Sequence, residues 1–127
     1  MTDRSQVEKL VGELHAARVD GDLERLCRVY SPDARLRIAG SSDGKPIAID
    51  ASRIARIRPW LSILVKTFRL SRYELLSLTI EGASAAAHWR VVIESKITGI
   101  SIPTELVDLI EVRSGQIISQ IEFFVPI

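Results

Sequence analysis

The chain has 127 residues and 46% hydrophobic side chains, enough for one domain with a buried core and too many for a disordered chain. Its net charge of +1 gives no strong field, so neither nucleic acid nor a membrane surface is expected as a partner. A single cysteine, Cys27, excludes an internal disulfide and suits a reducing cytoplasm. The first residues, MTDRSQVEKLVGEL, lack the pattern of a signal peptide, and no apolar stretch is long enough to span a bilayer, so a cytoplasmic location is expected.

Apolar residues at helical spacing predict helices in the first half of the chain. One helix covers 5–17, where a single face carries Val7, Leu10, Val11 and Leu14. The turn residues of 20–22 end it, and Asp22 is a plausible N-cap for a second helix. The buried side of the second helix would carry Leu23, Leu26, Cys27 and Tyr30.

A third helix is predicted after a short strand over 34–39 and a turn-rich loop over 40–45. Asp50 or Ser52 would cap it, and Pro59 would kink it or divide it into a short and a longer helix. Its apolar positions are Ile54, Ile57, Leu61, Leu64 and Phe68. Three helices therefore precede the main run of strands.

After Leu70 the apolar period falls from about 3.6 residues to two, which is typical of strands. Strands are predicted over 73–80, 85–94, 102–113 and 116–125, the last two joined by a tight hairpin turn. Helices followed by long antiparallel strands indicate an α+β fold in which the helices close one face of a bent sheet. The whole of 1–127 is expected to form one domain.

Two segments carry a resemblance to a known superfamily. The stretch Asp20-Gly21-Asp22-Leu23-Glu24, with Val29-Tyr30-Ser31-Pro32-Asp33-Ala34 after it, is similar to the helix-to-first-strand junction of nuclear-transport-factor-2-like proteins. The ending from Asp108 to Ile117, with Glu122-Phe123-Phe124, resembles their last hairpin. The resemblance covers nearly the whole chain and follows the SnoaL-like polyketide cyclase and ketosteroid isomerase branch. It implies a cone in which three N-terminal helices pack on a strongly curved antiparallel sheet around an apolar pocket.

The resemblance also maps the polar residues of ketosteroid isomerases onto this chain. Their tyrosine position is Leu14, their base position is Ile38, and their aspartic acid position is Asp108. Because only the third position keeps its acid, ketosteroid isomerisation of the familiar kind is not expected. The cyclase branch has its acid–base aspartate at the Asp108 position, usually supported by a histidine on the preceding strand. Residues 94–99 contain no histidine, so that customary partner is missing.

Asp108 is the first candidate catalytic residue. Strand alternation puts it on one face with Leu106, Ile110 and Val112, so a carboxyl group interrupts an apolar surface. A buried charge is costly unless it is neutralised or finds partners, and such acids are often functional. The alternative is a structural aspartate bonded to a helix terminus or a backbone amide.

Glu122 is the second candidate, and two arguments about it conflict. Alternation makes the face of Ile121 and Phe123 the more apolar one, which would leave Glu122 exposed on the sheet. The resemblance instead directs Gln120, Glu122 and Phe124 into the pocket. We follow the resemblance and expect the two carboxyl groups to share the pocket, where each would shift the pKa of the other.

The predicted pocket wall is apolar and aromatic. Trp89 would either contact an apolar ligand or fill the core. Tyr30 could donate a hydrogen bond into the pocket, although a hydroxyl that reaches solvent is the favoured interpretation. The full set of predicted ligand-binding residues is Tyr30, Trp60, Trp89, Val91, Ile93, Leu106, Gln120 and Phe124.

The histidines and the cysteine do not suggest a metal site or a nucleophile. His15 neighbours the apolar stripe of the first helix without belonging to it, and His88 alternates with the outward-facing Arg90, so both are predicted at the surface or at an interface. No spacing suits a zinc or iron site, and no metal is expected. Cys27 is predicted to be an inert core cysteine.

Residues 51–73 contain basic side chains and no acid. The basic residues are Arg53, Arg56, Arg58, Lys66, Arg69 and Arg72. They form either a solvated helix face or, if Arg56 or Arg58 lies at the pocket mouth, a feature that favours an anionic ligand.

These patterns predict a small-molecule pocket protein of the SnoaL-like kind that catalyses a proton-transfer step on a small apolar carbonyl compound. An isomerase, cyclase or dehydratase of this type needs no metal or organic cofactor. The alternative is a non-catalytic binding or dimerisation module. Both predict a homodimer, because the outer sheet face would expose Val107, Leu109, Ile121 and Phe123.

Overall fold

The computed structural model describes residues 3–42 and 44–127, so Met1 and Thr2 of the predicted N-terminal segment and Asp43 of the predicted loop lie outside the described residues. The elements in chain order are α1 (Arg4–Asp20), α2 (Leu23–Arg28), β1 (Tyr30–Ser42), β2 (Lys45–Ser52), α3 (Ile54–Thr67), β3 (Phe68–Glu81), β4 (Ser84–Ser95), β5 (Ser101–Arg113) and β6 (Gln116–Pro126).

The strands form one six-stranded curved sheet in the order β2-β1-β6-β5-β4-β3. Neighbouring strands are antiparallel except for β1 and β6, which are parallel. The α+β class is therefore confirmed, but two details of the prediction were wrong. The sheet is not wholly antiparallel, and two strands, β1 and β2, precede the third helix where the sequence predicted one short strand.

The helix ends follow local capping chemistry. Asp3 accepts a hydrogen bond from the Gln6 amide at 2.9 Å, and Gly21 ends α1 in the left-handed conformation that glycine adopts without strain. Asp22 caps α2 through the Arg25 amide, as predicted. Helix α2 ends at Arg28, however, so the predicted place of Tyr30 on it was wrong, and Tyr30 instead begins β1.

The segment before α3 is a strand that the prediction missed. Residues 45–52 pair with β1 as β2, so neither Asp50 nor Ser52 caps α3, and Arg53 occupies the N-cap position with a positive φ of 75°. Helix α3 is continuous across Pro59, which excludes the predicted division into two helices.

The core lies between the helices and the inner face of the sheet. The inward residues of β5 are buried at alternate positions, including Leu106, Asp108 and Ile110, whereas Leu109 between them is 42% exposed. Strand β6 behaves in the same way, with Glu122 inside and Phe123 outside. Among the described residues, no helix combines the length and the apolar character that crossing a membrane requires.

Candidate functional site

A cavity of about 290 Å³ lies between α3 and the inner face of the sheet. Its mouth is marked by Trp60 and Ile63, which are 40% and 51% exposed, and its inner end by the buried Arg18 and Glu122. The rest of the wall is apolar apart from two hydroxyl residues. These wall residues are Ile38, Ser41, Ile47, Ile49, Leu64, Phe68, Leu70, Ile93, Ile102, Thr104, Leu106, Phe124 and Pro126.

Four of the eight predicted pocket residues line this cavity, namely Trp60, Ile93, Leu106 and Phe124. The other four, Tyr30, Trp89, Val91 and Gln120, are buried behind the wall, which corrects their predicted position. The reason is that the polar groups of Trp89, Tyr30 and Gln120 bond to one another or to Asp108. Val91 packs with Trp89 and Leu106 in a small apolar cluster.

Glu122 reaches the cavity from the middle of β6. Its Oε1 accepts a hydrogen bond of 2.9 Å from Arg18 Nη1, and both side chains are almost fully buried. Burial raises the pKa of Glu122 to about 7, helped by the neighbouring Asp108 charge and opposed by Arg18. Burial alone would lower the pKa of Arg18, but the Glu122 and Asp108 charges raise it. Arg18 is therefore always charged, whereas Glu122 changes charge near neutral pH.

Asp108 lies beside Glu122 on β5 but has no exposed surface and does not line the cavity. Its Oδ2 accepts hydrogen bonds of 2.8 Å from His15 Nε2 and 2.8 Å from Trp89 Nε1, and its Oδ1 accepts one of 3.1 Å from Gln120 Nε2. Burial alone would raise the pKa of Asp108, but the His15 hydrogen bond and nearby positive charge hold it below its usual value. Asp108 is thus a fully bonded carboxylate.

His15 and Arg18 are the two residues of the candidate site that sequence reasoning missed, and the predicted position of His15 at the surface or at an interface was wrong. His15 is 2% exposed, its ring centroid lies 4.5 Å from that of Trp89, and its Nδ1 is 2.7 Å from the Tyr73 hydroxyl. When Nε2–H donates to Asp108, Nδ1 accepts from Tyr73 in the neutral ring and donates to it in the charged ring. The histidine partner of Asp108 was predicted to be missing, but α1 supplies one in place of the preceding strand.

Tyr30 and Gln120 complete the buried network from the other side. The Tyr30 hydroxyl donates to Gln120 Oε1, which leaves the Gln120 amide hydrogens for Asp108. Burial strongly raises the pKa of Tyr30, so it remains a neutral donor. The favoured prediction that its hydroxyl reaches solvent was wrong, because Tyr30 is only 3% exposed.

Other candidate features lie away from the cavity. His88 is on the outer face, 2.7 Å from Glu105 Oε1, which agrees with its predicted orientation. Cys27 packs against the core, and burial raises the pKa of its thiol, as expected for an unreactive cysteine. Arg58 pairs with Glu24, and Arg56 lies in an open cleft with Arg35 and Asp50, so neither basic residue lines the cavity.

Within 3–42 and 44–127, no three histidine, cysteine, aspartate or glutamate side chains come together in a way that could hold a metal ion. The catalytic assignment of Asp108 and Glu122 remains a prediction. The three side chains lie at increasing distance from the cavity: Glu122 contacts it, Asp108 lies behind Glu122, and His15 lies behind Asp108.

The fold is shared with many solved structures. A candidate isomerase from Bacillus subtilis superimposes with a TM-score of 0.83 at 16% identity, covering 98% of this chain and 89% of that one. A candidate SnoaL-like polyketide cyclase from Jannaschia has a TM-score of 0.77 at 18% identity, covering 98% and 91%. A protein of ketosteroid-isomerase-like fold from Catenulispora acidiphila, bound to trimethylamine, has a TM-score of 0.72 at 12% identity, covering 89% and 82%. At these identities the likeness shows the fold alone.

The sequence matches none of the curated proteins. It does match the family model of the SnoaL-like domain over residues 11–120, a span that includes His15, Arg18, Asp108 and Gln120. This match covers most of the chain and agrees with the resemblance carried by the segments 20–34 and 108–124. The chain belongs to the SnoaL-like domain family.

Proposed function

We propose that the protein is a cofactor-independent acid–base enzyme that acts on a small, largely apolar carbonyl compound bound in the cavity. One observation carries this proposal: Arg18 and Glu122 are the only ionisable groups among the described residues that line the cavity, and they lie together at its inner end. An apolar pocket with a few convergent polar groups is typical of small-molecule sites. At about 290 Å³ the cavity suits a small ligand.

Glu122 is the proposed proton carrier. A carboxyl group with a pKa of about 7 holds and releases a proton near neutral pH, which suits general acid–base catalysis. In this scheme the ionised Glu122 takes a proton from a carbon next to the ligand carbonyl. The same proton then returns to another carbon in an isomerisation, or to a leaving hydroxyl in a dehydration.

Arg18 is the proposed electrostatic partner. Removing a proton next to a carbonyl group places negative charge on the carbonyl oxygen, and a fixed cation in a dry cavity stabilises that charge. Arg18 is 8% exposed and lines the cavity beside Glu122. The names isomerase and polyketide cyclase carried by structural neighbours are compatible with chemistry of this class.

The role that we propose for Asp108 differs from the catalytic role expected from the sequence. Three side-chain donors occupy its oxygens, and it has no surface in the cavity, so we assign it a positioning role. Its negative charge helps to keep the pKa of Glu122 high, which a neutral side chain would not do.

The test uses proton exchange, which requires no knowledge of the natural substrate. Cyclic ketones from cyclohexanone to decalone are incubated with the protein in D₂O, and loss of the hydrogens next to the carbonyl is followed by NMR. We expect wild-type protein to accelerate exchange and Glu122→Gln to remove about a hundredfold or more of that acceleration. Glu105→Gln, a glutamate on the outer face, is the matched control and should behave as wild type. Equal exchange in both variants would contradict the role of Glu122.

A second candidate function is ligand binding without reaction. It is favoured by the complete pairing of Asp108 and by the finding that, in the described part of the chain, every buried polar side-chain atom has a partner. A binding protein would show a ligand-dependent rise in Tm in wild type and in Glu122→Gln alike, with no exchange in either. An enzyme would show exchange that Glu122→Gln removes.

We also propose that the outer sheet face pairs with a second copy of the chain. Leu109, Phe123 and Val125 are 42%, 46% and 51% exposed on neighbouring strands, an apolar strip that a dimer would cover. Light scattering at micromolar concentration should give twice the chain mass, and Phe123→Asp should halve it. A wild-type monomer would contradict this. The predicted cytoplasmic location stays a prediction.

A further inference from the structure

An open cleft of about 540 Å³ lies beside the mouth of the cavity. Its lining residues are Arg35, Asp50, Ala51, Ser52, Arg56 and Trp60. Trp60 also lines the cavity, so one side chain belongs to both spaces. Because Trp60 is 40% exposed, solvent reaches the boundary between them. The cleft and the cavity are therefore neighbours that share a wall.

Two elements run from the cavity into the cleft. On α3, Leu64 lines the cavity, Trp60 lines both spaces and Arg56 lines the cleft. These positions are four residues apart, so their side chains follow one another along the same side of the helix. On β2, Ile49 lines the cavity, and Ala51 on the same face of the strand lines the cleft. A ligand that lies between β2 and α3 can therefore extend from the cavity into the cleft.

The cleft carries an excess of positive charge. Arg35 Nε and Nη2 donate hydrogen bonds of 3.0 and 2.8 Å to the Asp50 carboxylate, so these two charges cancel. The same hydrogen bonds hold the pKa of Asp50 below its usual value, which keeps it ionised at neutral pH. Arg56 forms no salt bridge with any acidic group of the described residues, and a guanidinium group keeps its charge. One positive charge in the cleft is therefore left for a ligand.

We propose that the cleft binds a terminal carboxylate of a ligand whose carbonyl end occupies the cavity. The Arg56 guanidinium group donates to the carboxylate oxygens, a pairing whose planar geometries match. The apolar part of the ligand packs along Trp60 and Leu64. The substrate class thereby narrows to an elongated keto acid. This inference rests on the proposed function, which places the carbonyl group at the inner end of the cavity.

A carboxylate suits the cleft better than a phosphate group does. A phosphate monoester carries close to two negative charges at neutral pH, and the second charge would be left uncompensated near Asp50. Arg18, at the inner end of the cavity, is the competing cation for a carboxylate. Its charge already serves Glu122 and Asp108, so a further anion there would add a net charge to a buried place, which is costly.

The spacing along α3 sets the length of the ligand. Arg56 and Leu64 are eight residues apart, which corresponds to about 12 Å along the helix axis. A keto acid with its carboxylate close to the ring is too short to occupy the cavity and contact Arg56 together. The advantage of a carboxylate should therefore appear only when a chain separates it from the ring.

The experiment compares cyclohexanones that carry a carboxyalkyl chain of one to eight methylene groups, each as the acid and as its methyl ester. Isothermal titration calorimetry at pH 7.5 and low salt gives the dissociation constants. We expect wild type to bind the long-chain acids about fivefold or more tightly than their esters, and the shortest acid no more tightly than its ester. Added salt should reduce the advantage of the acids and leave the esters unchanged.

Two variants locate the carboxylate. Arg56→Gln should remove the advantage of the acids without changing the binding of the esters, because Arg56 is exposed and does not line the cavity. Lys66→Gln is the matched control: it removes one exposed positive charge from the same helix but lines neither space, so it should behave as wild type. Equal binding of acids and esters by wild type, or no binding of any long-chain acid, would overturn the inference. A preference for acids that survives Arg56→Gln would place the carboxylate elsewhere and would also overturn it.

The outcomes separate this inference from the proposed function. Unsubstituted cyclohexanone has no carboxylate, so its hydrogen exchange tests the reaction without the cleft. If Glu122→Gln removes that exchange while acids and esters bind alike, the reaction stands and the carboxylate site is wrong. If Arg56 selects the acids but no ketone is exchanged, the carboxylate site stands and the proposed reaction fails.

Discussion

Two histidine–carboxylate contacts of nearly equal length lie on opposite faces of the sheet. His15 Nε2 is 2.8 Å from Asp108 Oδ2 on the inner face, and His88 Nε2 is 2.7 Å from Glu105 Oε1 on the outer face. The inner side chains are 2% and 0% exposed, whereas the outer ones are 38% and 36% exposed. The two distances are nearly equal, so the two contacts differ in solvation. Water surrounds the outer pair, whereas neighbouring side chains must balance the charge of the buried inner pair.

Two arginine–carboxylate pairs of similar length also differ in burial. Arg18 meets Glu122 at 2.9 Å inside the fold, and Arg35 meets Asp50 at 2.8 Å on the surface, where both side chains are more than half exposed. Water and salt screen the surface pair, but only other buried side chains surround the inner pair. Substitution of an inner group should therefore have a larger effect than substitution of its surface counterpart.

Removing the buried cation should have the largest effect. Arg18→Met leaves Glu122 and Asp108 together without their compensating charge, and we expect a loss of about 3 to 5 kcal/mol in the free energy of unfolding. Arg35→Met removes the corresponding surface cation and should leave that free energy nearly unchanged. Urea unfolding of both variants measures the difference. Losses of similar size would show that burial does not distinguish the two pairs.

The stability of the protein should depend on pH through the ionisation of Glu122. Its pKa is raised in the folded protein from the usual 4.5 to about 7, so the folded state holds a proton that the unfolded state has lost. Stability must then fall as pH rises from about 5 to 8, by on the order of 2 kcal/mol. Glu122→Gln should flatten the profile in this window, and Glu105→Gln should not. A wild-type profile already flat from pH 5 to 8 would refute the raised pKa.

Substitution of the two tryptophans should change the free energy of unfolding by smaller and unequal amounts. Trp89→Phe keeps an aromatic ring but removes the N–H that bonds to Asp108, so we expect a loss of about 1 to 2 kcal/mol. Trp60→Phe at the exposed cavity mouth should change stability by less than about 0.5 kcal/mol. Thermal unfolding followed by circular dichroism would compare them, and equal shifts would show that the buried N–H contributes little.

Much of the fold could be predicted from periodicity. The last four strands were predicted within a few residues of their ends, apart from β3, which begins five residues before the predicted 73–80. Strand β2 was missed although Ile47, Ile49 and Ala51 alternate, because 40–45 was interpreted as a loop and Asp50 or Ser52 as the cap of the next helix. The parallel pairing of β1 with β6 has no local signature, since it joins distant parts of the chain.

The site was predicted only in part. Asp108 was identified because it interrupts an apolar strand face, but the inward orientation of Glu122 came from the resemblance and not from alternation. His15 and Arg18 were missed because the search for a buried helix face counted apolar residues alone. Their spacing from Val7 and Val11 is nonetheless helical, so polar residues on that face were the overlooked signal. Their partners lie 93 and 104 positions away and follow only from tertiary structure.

Helix α1 brings both His15 and Arg18 to the sheet, and this makes its docking obligatory. Without α1, strands β5 and β6 would present two adjacent carboxyl groups to an apolar interior without the two basic side chains that contact them among the described residues. Detachment of α1 would leave these buried carboxyl groups without their ion-pair partners, so a partly folded protein with α1 detached should be scarce. Loss of α1 would remove the site and the fold in the same cooperative step.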